Sequence, residues 1–352
     1  MDRGSLLSLG ANDLLQRGWA ALSVPLRRLL HKPLRVSAEL TRRCNLRCLH
    51  CAFPCAEDAP DRLSLGQWTG ILRSLRRELG PYFLAFGHGE SLLEPMLFPL
   101  LAEAAALGAR TLLVSNGTLI EGDVPERLCA AGLGKLQLSI DGTQARTHDL
   151  GRGTPGTHAQ ALRALDAMRR LPGCPSIGLN AIIAGHNLPE LAGLVRWAAA
   201  EGLDGVSFQP LMRTGPDWGA LWPRDPGAVR SAIGTLLEMK DAGFPIRNSR
   251  EQLSALEGYF VAPDSWPGGL TCAAGEGLLI RQDGALQFCV QRGPFGDLRR
   301  EEIGAVLRSD SARLRYREVL ECRQTCLLLN CNHRPSLRTI AEGLGRSLRQ
   351  AK

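Results

Sequence analysis

Six short, largely apolar segments alternate with amphipathic helical patterns from Leu34 onward. They read LRVSAEL (Leu34–Leu40), YFLAFG (Tyr82–Gly87), TLLVS (Thr111–Ser115), KLQLSI (Lys135–Ile140), SIGLNAII (Ser176–Ile183) and GVSFQPL (Gly205–Leu211). Between them lie stretches such as SLGQWTGILRSLRREL and LPELAGLVRWAAAEG, the first opening on Ser64 as a helix N-cap. Near-continuous apolar strands separated by helices predict a parallel sheet covered by helices. Six units are too few to close an eight-stranded barrel, so a partial barrel or an open doubly wound sheet fits. In both, ligands are expected beyond the C-terminal ends of the strands.

The alternation breaks at LMRTGPDWGALWPRDPG (Leu211–Gly227), rich in Pro, Gly and Trp, which predicts a domain boundary or a loop over the site. One more helix is expected at about Ala228–Ala242. The chain then turns short-stranded and cysteine-rich as far as Pro335. The expected divisions are a basic amphipathic segment over 1–33, an α/β unit over 34–243, a cysteine-rich unit over 244–335 and a basic helix or tail over 336–352.

A net charge of +7 is mild, and the arginines are spread over several helices. Nucleic acid is therefore not an expected partner, whereas an anionic substrate or acidic peptide fits. No run of about 18 uncharged apolar residues predicts a transmembrane segment. Asp13 and Arg17 interrupt the N-terminal apolar run, so no secretory signal is expected and the cytoplasm is the expected compartment. In that compartment clustered cysteines bind metal or do chemistry more often than they pair.

The first cluster, CNLRCLHCAFPC, sets Cys44, Cys48 and Cys51 at Cys-x3-Cys-x2-Cys directly after the first strand, with Cys55 beyond. Three thiolates on one tight loop can surround an inorganic centre. The spacing is not the pair of Cys-x2-Cys knuckles of a zinc ribbon. A 4Fe–4S cluster takes four thiolates, and three would leave one iron open. A structural zinc site remains the plainer alternative.

CNLRCLHC resembles the signature of the radical S-adenosylmethionine (radical SAM) superfamily, with His50 in the aromatic position. FGHGES (Phe86–Ser91) resembles the family's Gly-Gly-Glu motif, with His88 replacing the first Gly. VSNGTLI (Val114–Ile120) resembles its Asn-Gly-Thr segment, and LSIDGTQARTHDLGRG its Ser-Ile-Asp-Gly … His-Asp-x-x-Arg-Gly stretch. The resemblance covers about residues 34–335 and implies a partial (β/α)6 TIM-like barrel. It implies that Cys44, Cys48 and Cys51 ligate a 4Fe–4S cluster whose open iron is chelated by S-adenosylmethionine. Gly89 would let the backbone approach the methionyl amine, and Glu90 would be the anion near it. Asn116, Ser139 and Asp141 would hold ribose or carboxylate, and Arg152 would pair with the SAM carboxylate. Each has a bland reading beside it: Glu90 in a strand-end salt bridge, Asn116-Gly117 as a plain turn, Arg152 as a surface charge. The implied chemistry is reductive cleavage of SAM to a 5′-deoxyadenosyl radical that takes a hydrogen atom from substrate, with flavodoxin or ferredoxin as electron donor. Cys55 is read as a bystander, with a hydrogen-atom-donating thiol as the sharper alternative. Cys129 and Cys174 are read as structural.

The second cluster begins with CAAGEGLLIRQDGALQFC, in which Asp283-Gly284 marks a hairpin turn between Cys272 and Cys289. CRQTCLLLNCNH adds Cys322, Cys326 and Cys331. This resembles the C-terminal SPASM or twitch domains of radical SAM enzymes, which carry auxiliary iron–sulfur clusters. The later cysteines depart from the full pattern, with the middle one displaced by one residue and Pro335 where the last would stand. Five thiols do not fill two four-thiolate clusters, so the resemblance implies one auxiliary cluster, held by Cys272, Cys289 and two of Cys322, Cys326 and Cys331. A zinc site is again the alternative, and His333 is not expected to be a ligand.

For the substrate, SPASM-type relatives point to a peptide or protein that is crosslinked, epimerised or oxidised. No leader-binding segment is recognised ahead of the barrel, which weighs against that reading. The alternative is a dehydrogenase or epimerase acting on a small molecule such as an aminosugar or cyclitol. A non-enzymatic iron–sulfur or zinc regulator is the third reading, opposed by the SAM-side motifs.

Overall fold

The computed structural model describes residues 35–51, 56–173, 175–213, 217–263 and 272–324, together with Cys326, Leu329 and His333. Cys55, Cys174, Cys331 and the expected segments 1–33 and 336–352 lie outside the described residues. Among the described residues no helix is long and apolar enough to cross a membrane.

Six parallel strands form where the apolar segments predicted them. They are β1 (Arg35–Ala38), β2 (Phe83–Phe86), β3 (Arg110–Ser115), β4 (Lys135–Ser139), β5 (Ser176–Ile183) and β6 (Val206–Pro210), side by side in chain order. The helices between them are α1 (Leu65–Leu79), α2 (Leu97–Ala106), α3 (Val124–Ala130), α4 (Ala145–Arg152), α5 (Thr157–Arg169) and α6 (Leu191–Ala200). Ser64 starts α1 with a full capping box: its hydroxyl accepts from the Gln67 N–H while the Gln67 side chain accepts from the Ser64 N–H. The helix buries Trp68, Ile71, Leu72, Leu75 and Leu79, one stripe at helical spacing.

The sheet differs from the sequence expectation in one informative way. Its outer face packs against helices through Val36, Ala38, Leu84, Phe86, Leu136, Leu138, Leu179, Ala181, Val206 and Phe208, all buried, with only Thr111 and Ser115 of β3 as polar members among the described strands. The residues between them carry the opposite face, because successive side chains of a strand alternate. That face includes Ser37, Gln137, Ser139, Asn180, Ser207 and Gln209. A parallel sheet covered on both sides is apolar on both; this one has a polar inner face, as a half-open barrel around a binding space requires.

The sheet continues beyond β1. Strand β7 (Gly277–Ile280) pairs with β1 in parallel register, and β8 (Ala285–Gln287) and β9 (Gly296–Asp297) follow antiparallel. The β7–β8 turn is the one Asp283-Gly284 predicted: the Asp283 carboxylate accepts from the Ala285 N–H, and Gly284 sits at φ 85°, in the left-handed region. The cysteine-rich unit is thus joined to the barrel by main-chain pairing. The last described helices, α10 (Ile303–Arg308) and α11 (Asp310–Leu320), follow β9.

After β6 come a short helix α7 (Trp218–Leu221), α8 (Pro226–Asp241) and α9 (Arg250–Val261). Between the last two, Ile246 bridges to Val206, and the Asn248 side chain bonds both N–H and C=O of Phe208. The Trp-rich stretch is pinned at the strand ends. Trp222 packs edge-on to Tyr259 at 5.3 Å, the Tyr259 hydroxyl donates to the Leu211 carbonyl at 3.0 Å, and the Gly185 N–H donates to Leu221 O at 2.7 Å.

Candidate active site at the strand C-termini

The loop of Cys44, Cys48 and Cys51 leaves the C-terminal end of β1 and is held at both ends. At its start, the Asp58 carboxylate accepts from the Thr41 hydroxyl (2.7 Å), the Arg42 N–H (2.8 Å) and the Arg43 guanidinium (2.8 Å). Arg62 ties Asp58 to buried Glu94, and Arg43 reaches the same two carboxylates. The Glu90 N–H donates to Arg43 O at 2.9 Å. Gly89 makes this approach possible: at φ +59°, a Cβ there would stand 2.4 Å from Arg43 O. Close contact with the cysteine loop alone thus requires glycine at this position. At the loop's far end, the Leu49 N–H donates to Gly151 O at 3.0 Å, and a Cβ on Gly153 would lie 2.8 Å from Arg47 O.

None of the three cysteines is in a disulfide among the described residues. The Leu46 N–H points at Cys44 Sγ (3.5 Å), and the Asn116 amide approaches it at 3.9 Å. Burial pushes the Cys48 thiol up, against the Arg152 guanidinium bonded to it, which favours the thiolate. Among the described residues no three His, Cys, Asp or Glu side chains close around one point as ligands of a single ion would. A four-iron cube distributes its thiolates over different irons, so its ligands sit wider apart than those of one ion. Three thiols on a doubly anchored loop, with N–H donors aimed at sulfur, suit such a group.

Glu90 is buried at 1% exposure. Its carboxylate accepts from the Asn116 N–H (3.0 Å), the Ser115 hydroxyl (3.1 Å) and the Leu92 N–H (3.4 Å). Burial outweighs these neutral donors and raises its pKa to about 6. Among the described residues no cation pairs with it, so no strand-end salt bridge is formed there. A buried carboxylate with only neutral donors lacks a counter-charge, which a cation could supply.

Asn116 is both a turn residue and a bridge. Its side-chain oxygen accepts from the Thr118 N–H (2.9 Å) and hydroxyl (2.7 Å), while its amide donates to Asn45 Oδ1 at 3.0 Å. Arg152 is not a surface charge. It is buried, with Nη2 2.8 Å from Asp141 Oδ2, and Cys48 lies beside it. Asp141 also accepts from the Ile182 N–H at 2.9 Å; burial raises its pKa, yet Arg152, His50 and His148 hold it below the ordinary carboxylate range. The guanidinium expected to meet a ligand carboxylate is thus already paired. Ser139 is buried at the end of β4.

His50 lies against α4, its pKa lowered to about 4 by burial and by Arg152. His186, at the end of β5, meets it there: a Cβ on Gly151 would stand 3.4 Å from both His50 Nδ1 and His186 Nε2. The sequence reading missed His186; its signal was a histidine in AGHN directly after a strand, where ligands bind. Burial lowers the His88 pKa, with Glu39 and Arg42 nearby.

At the second cluster, the register pairing Leu279 with Gln287 brings Cys289 level with Gly277, the end at which Cys272 enters. The Ala274 N–H donates to Cys272 Sγ (3.4 Å) and the Gln291 N–H to Cys289 Sγ (3.3 Å). This repeats the Cys44 arrangement, in which the N–H two residues on faces the sulfur. Burial raises the Cys289 pKa, Cys322 raises it further, and Arg292 bonds Cys322. The structure therefore brings Cys289 and Cys322 together. His333 bridges to Cys272 through the backbone, with Nε2 3.2 Å from Ser249 Oγ.

A half-open parallel barrel with three thiols after its first strand and a buried carboxylate after its second defines a class of cluster-bearing proteins. Residues 38–198 match the radical SAM superfamily model, so that stretch is a radical SAM domain. The chain is 30% identical over 164 residues to the AdoMet-dependent heme synthase of Methanosarcina barkeri, covering 46% of each. It is 30% identical over 196 residues to mycofactocin maturase MftC of Mycobacterium ulcerans (55% of this chain, 52% of the relative). It is 30% identical over 234 residues to the PqqA peptide cyclase of Rhodopseudomonas palustris (66% and 59%). The chain thus spans about half the length of the curated relatives it matches. The solved structure of Streptococcus suis SuiB bound to S-adenosylmethionine superposes with TM-score 0.65 at 15% identity, covering 86% of this chain and 71% of SuiB. AdoMet-bound anSMEcpe superposes with TM-score 0.64 at 14% identity (91% and 95%). At such identities these two likenesses concern the fold.

Proposed function

We propose that the chain is a radical SAM enzyme that modifies a peptide or protein. The observation that carries this is the pairing of a doubly anchored three-thiol loop with the cation-free buried carboxylate of Glu90. When bound, a 4Fe–4S cluster and SAM supply one-electron cleavage of the sulfonium C–S bond and a 5′-deoxyadenosyl radical that takes hydrogen from the substrate. Cys44, Cys48 and Cys51 hold the cluster. Glu90 receives the SAM ammonium and regains a counter-charge. Asn116, Ser139 and Asp141 offer hydrogen bonds at the strand ends, and the His50 ring lies beside them. Arg152 positions Asp141 and Cys48.

Cys272, Cys289 and two of Cys322, Cys326 and Cys331 hold one auxiliary cluster in a SPASM/twitch-like unit over 244–335. Its proposed support is the N–H···Sγ geometry shared by Cys44, Cys272 and Cys289, and the closeness of Cys289 to Cys322. An electron donor of flavodoxin or ferredoxin type serves the clusters.

The peptide reading is supported by the names of the matched relatives PqqA peptide cyclase and mycofactocin maturase. The heme synthase match keeps a small-molecule substrate as the second reading. The test is iron content. Anaerobically reconstituted protein is expected to be brown with about eight irons, from two four-iron clusters. Replacing Cys44, Cys48 and Cys51 with Ala is expected to halve the iron and abolish SAM cleavage. Colourless, zinc-loaded protein would overturn the reading.

A further inference from the structure

The inner face of the barrel carries polar side chains that extend from Ser139, at the edge of the cofactor site, across β5 and β6. Ser139, Asn180 and Ser207 form one rung across three strands, because Ser139 pairs with Asn180 and Asn180 with Ser207. Gln209 stands one rung further toward the site, opposite Ile182, and Gln137 one rung back, opposite Gly178. Their neighbours Leu138, Leu179, Val206 and Phe208 are buried in the outer core, so the polar members face inward. Asn180 and Ser207 are only half-buried, and among the described residues their side chains have no hydrogen-bond or ion-pair partner. Half-enclosed amide and hydroxyl groups lacking protein partners are groups held for water or a ligand.

We propose that Asn180, Ser207 and Gln209 form the substrate-recognition wall of the enzyme, and that it takes the uncharged backbone of an extended peptide segment. The proposal rests on the reading of the chain as a radical SAM enzyme and names the substrate class for that site. Two features select amides. Asn and Gln side chains offer both donors and acceptors, and serine a hydroxyl that is either, which matches the alternating N–H and C=O groups of a peptide. Strands lie about 4.8 Å apart, so a rung across three strands is roughly 10 Å wide, about three residues of extended chain. A polycarboxylate such as a porphyrin acid needs cations instead. Arg281, one residue past β7, is in ion pairs with Glu39 and Asp283. Lys135, at the far end of β4, pairs with Asp204, and Arg152 pairs with Asp141. Ser139 is the border of the wall with the cofactor site, two residues before Asp141.

The test uses reconstituted holoenzyme in equilibrium dialysis, read by mass spectrometry. One chamber holds a mixture of acetylated, amidated hexapeptides of neutral composition; another holds coproporphyrin, a tetracarboxylic acid. Wild-type enzyme is expected to retain a subset of the peptides and no porphyrin. Asn180→Leu combined with Ser207→Ala is expected to reduce that retention at least tenfold with unchanged iron content and melting temperature. Asn180→Asp is expected to shift the retained set toward peptides containing Lys or Arg, which a structural role would not do. Retention of the porphyrin by wild-type enzyme, no retention of any peptide, or a peptide set indifferent to Asn180→Asp overturns the proposal. SAM cleavage by the dithionite-reduced wild type is measured in parallel. Its absence defeats the radical SAM reading, whereas cleavage with any of those three results defeats the peptide wall alone.

Discussion

Arg152 Nη2 lies 2.8 Å from Asp141 Oδ2, with both side chains buried and Cys48 beside the guanidinium. The pair links the end of β4, the last turn of α4 and the cysteine loop. Breaking it by removing one partner leaves a buried uncompensated charge. Asp141→Asn is therefore expected to lose about 3–5 kcal/mol of stability in urea unfolding. The Asp141 pKa is depressed in the fold. Its contribution is accordingly complete above the ordinary carboxylate value of about 3.9 and disappears as pH falls through the lower folded value.

Glu90 has the opposite sign. Its folded pKa of about 6 lies above the ordinary value of 4.5, so the fold is favoured by this group at low pH and loses that benefit as pH rises from the lower value to the higher. Near neutral pH the ionised carboxylate waits for a cation. SAM affinity, measured by equilibrium dialysis on the cluster-bearing protein, is expected to rise through about pH 6. Glu90→Gln is expected to flatten that profile and weaken SAM binding at least tenfold at pH 7.5, without a comparable loss of stability.

Gly89→Ala places a Cβ 2.4 Å from Arg43 O at a positive φ. The backbone of the cysteine loop must move to admit it. We expect a loss of about 1–3 kcal/mol and a marked fall in iron bound per chain after reconstitution, whereas Gly122→Ala, with open space at its Cβ position, leaves iron content intact.

Trp68, from the buried stripe of α1, is 1% exposed. Trp68→Ala is expected to cost about 3–5 kcal/mol, read as a lowered midpoint in chemical denaturation. Ser64→Ala removes only the cap of the same helix and is expected to cost about 1 kcal/mol.

The strands and the cysteine loop were legible because their signals are local. Apolar runs such as TLLVS and SIGLNAII fix β3 and β5, and Asp283-Gly284 fixes the β7–β8 turn within four residues. What the sequence concealed depends on distant pairing. That β7 extends the sheet at β1 needs knowledge of register between residues far apart in the chain. The partners of Arg152 and the backbone pressed against Gly89 are likewise set by tertiary packing. The polar inner face lies between these cases: Gln137, Asn180, Ser207 and Gln209 alternate with apolar residues at period two, and reading the strands as uniformly apolar passed over them.

The proposed function requires that this barrel bind SAM at an open iron held by Cys44, Cys48 and Cys51. The most direct measurement is chromatographic detection of 5′-deoxyadenosine after dithionite reduction of the reconstituted protein with SAM. Wild-type protein is expected to form it, a Cys289→Ala variant to form it at a reduced level, and a Cys48→Ala variant to form none. Iron-loaded wild-type protein that leaves SAM intact, or a Cys48→Ala variant that still cleaves it, would contradict the claim.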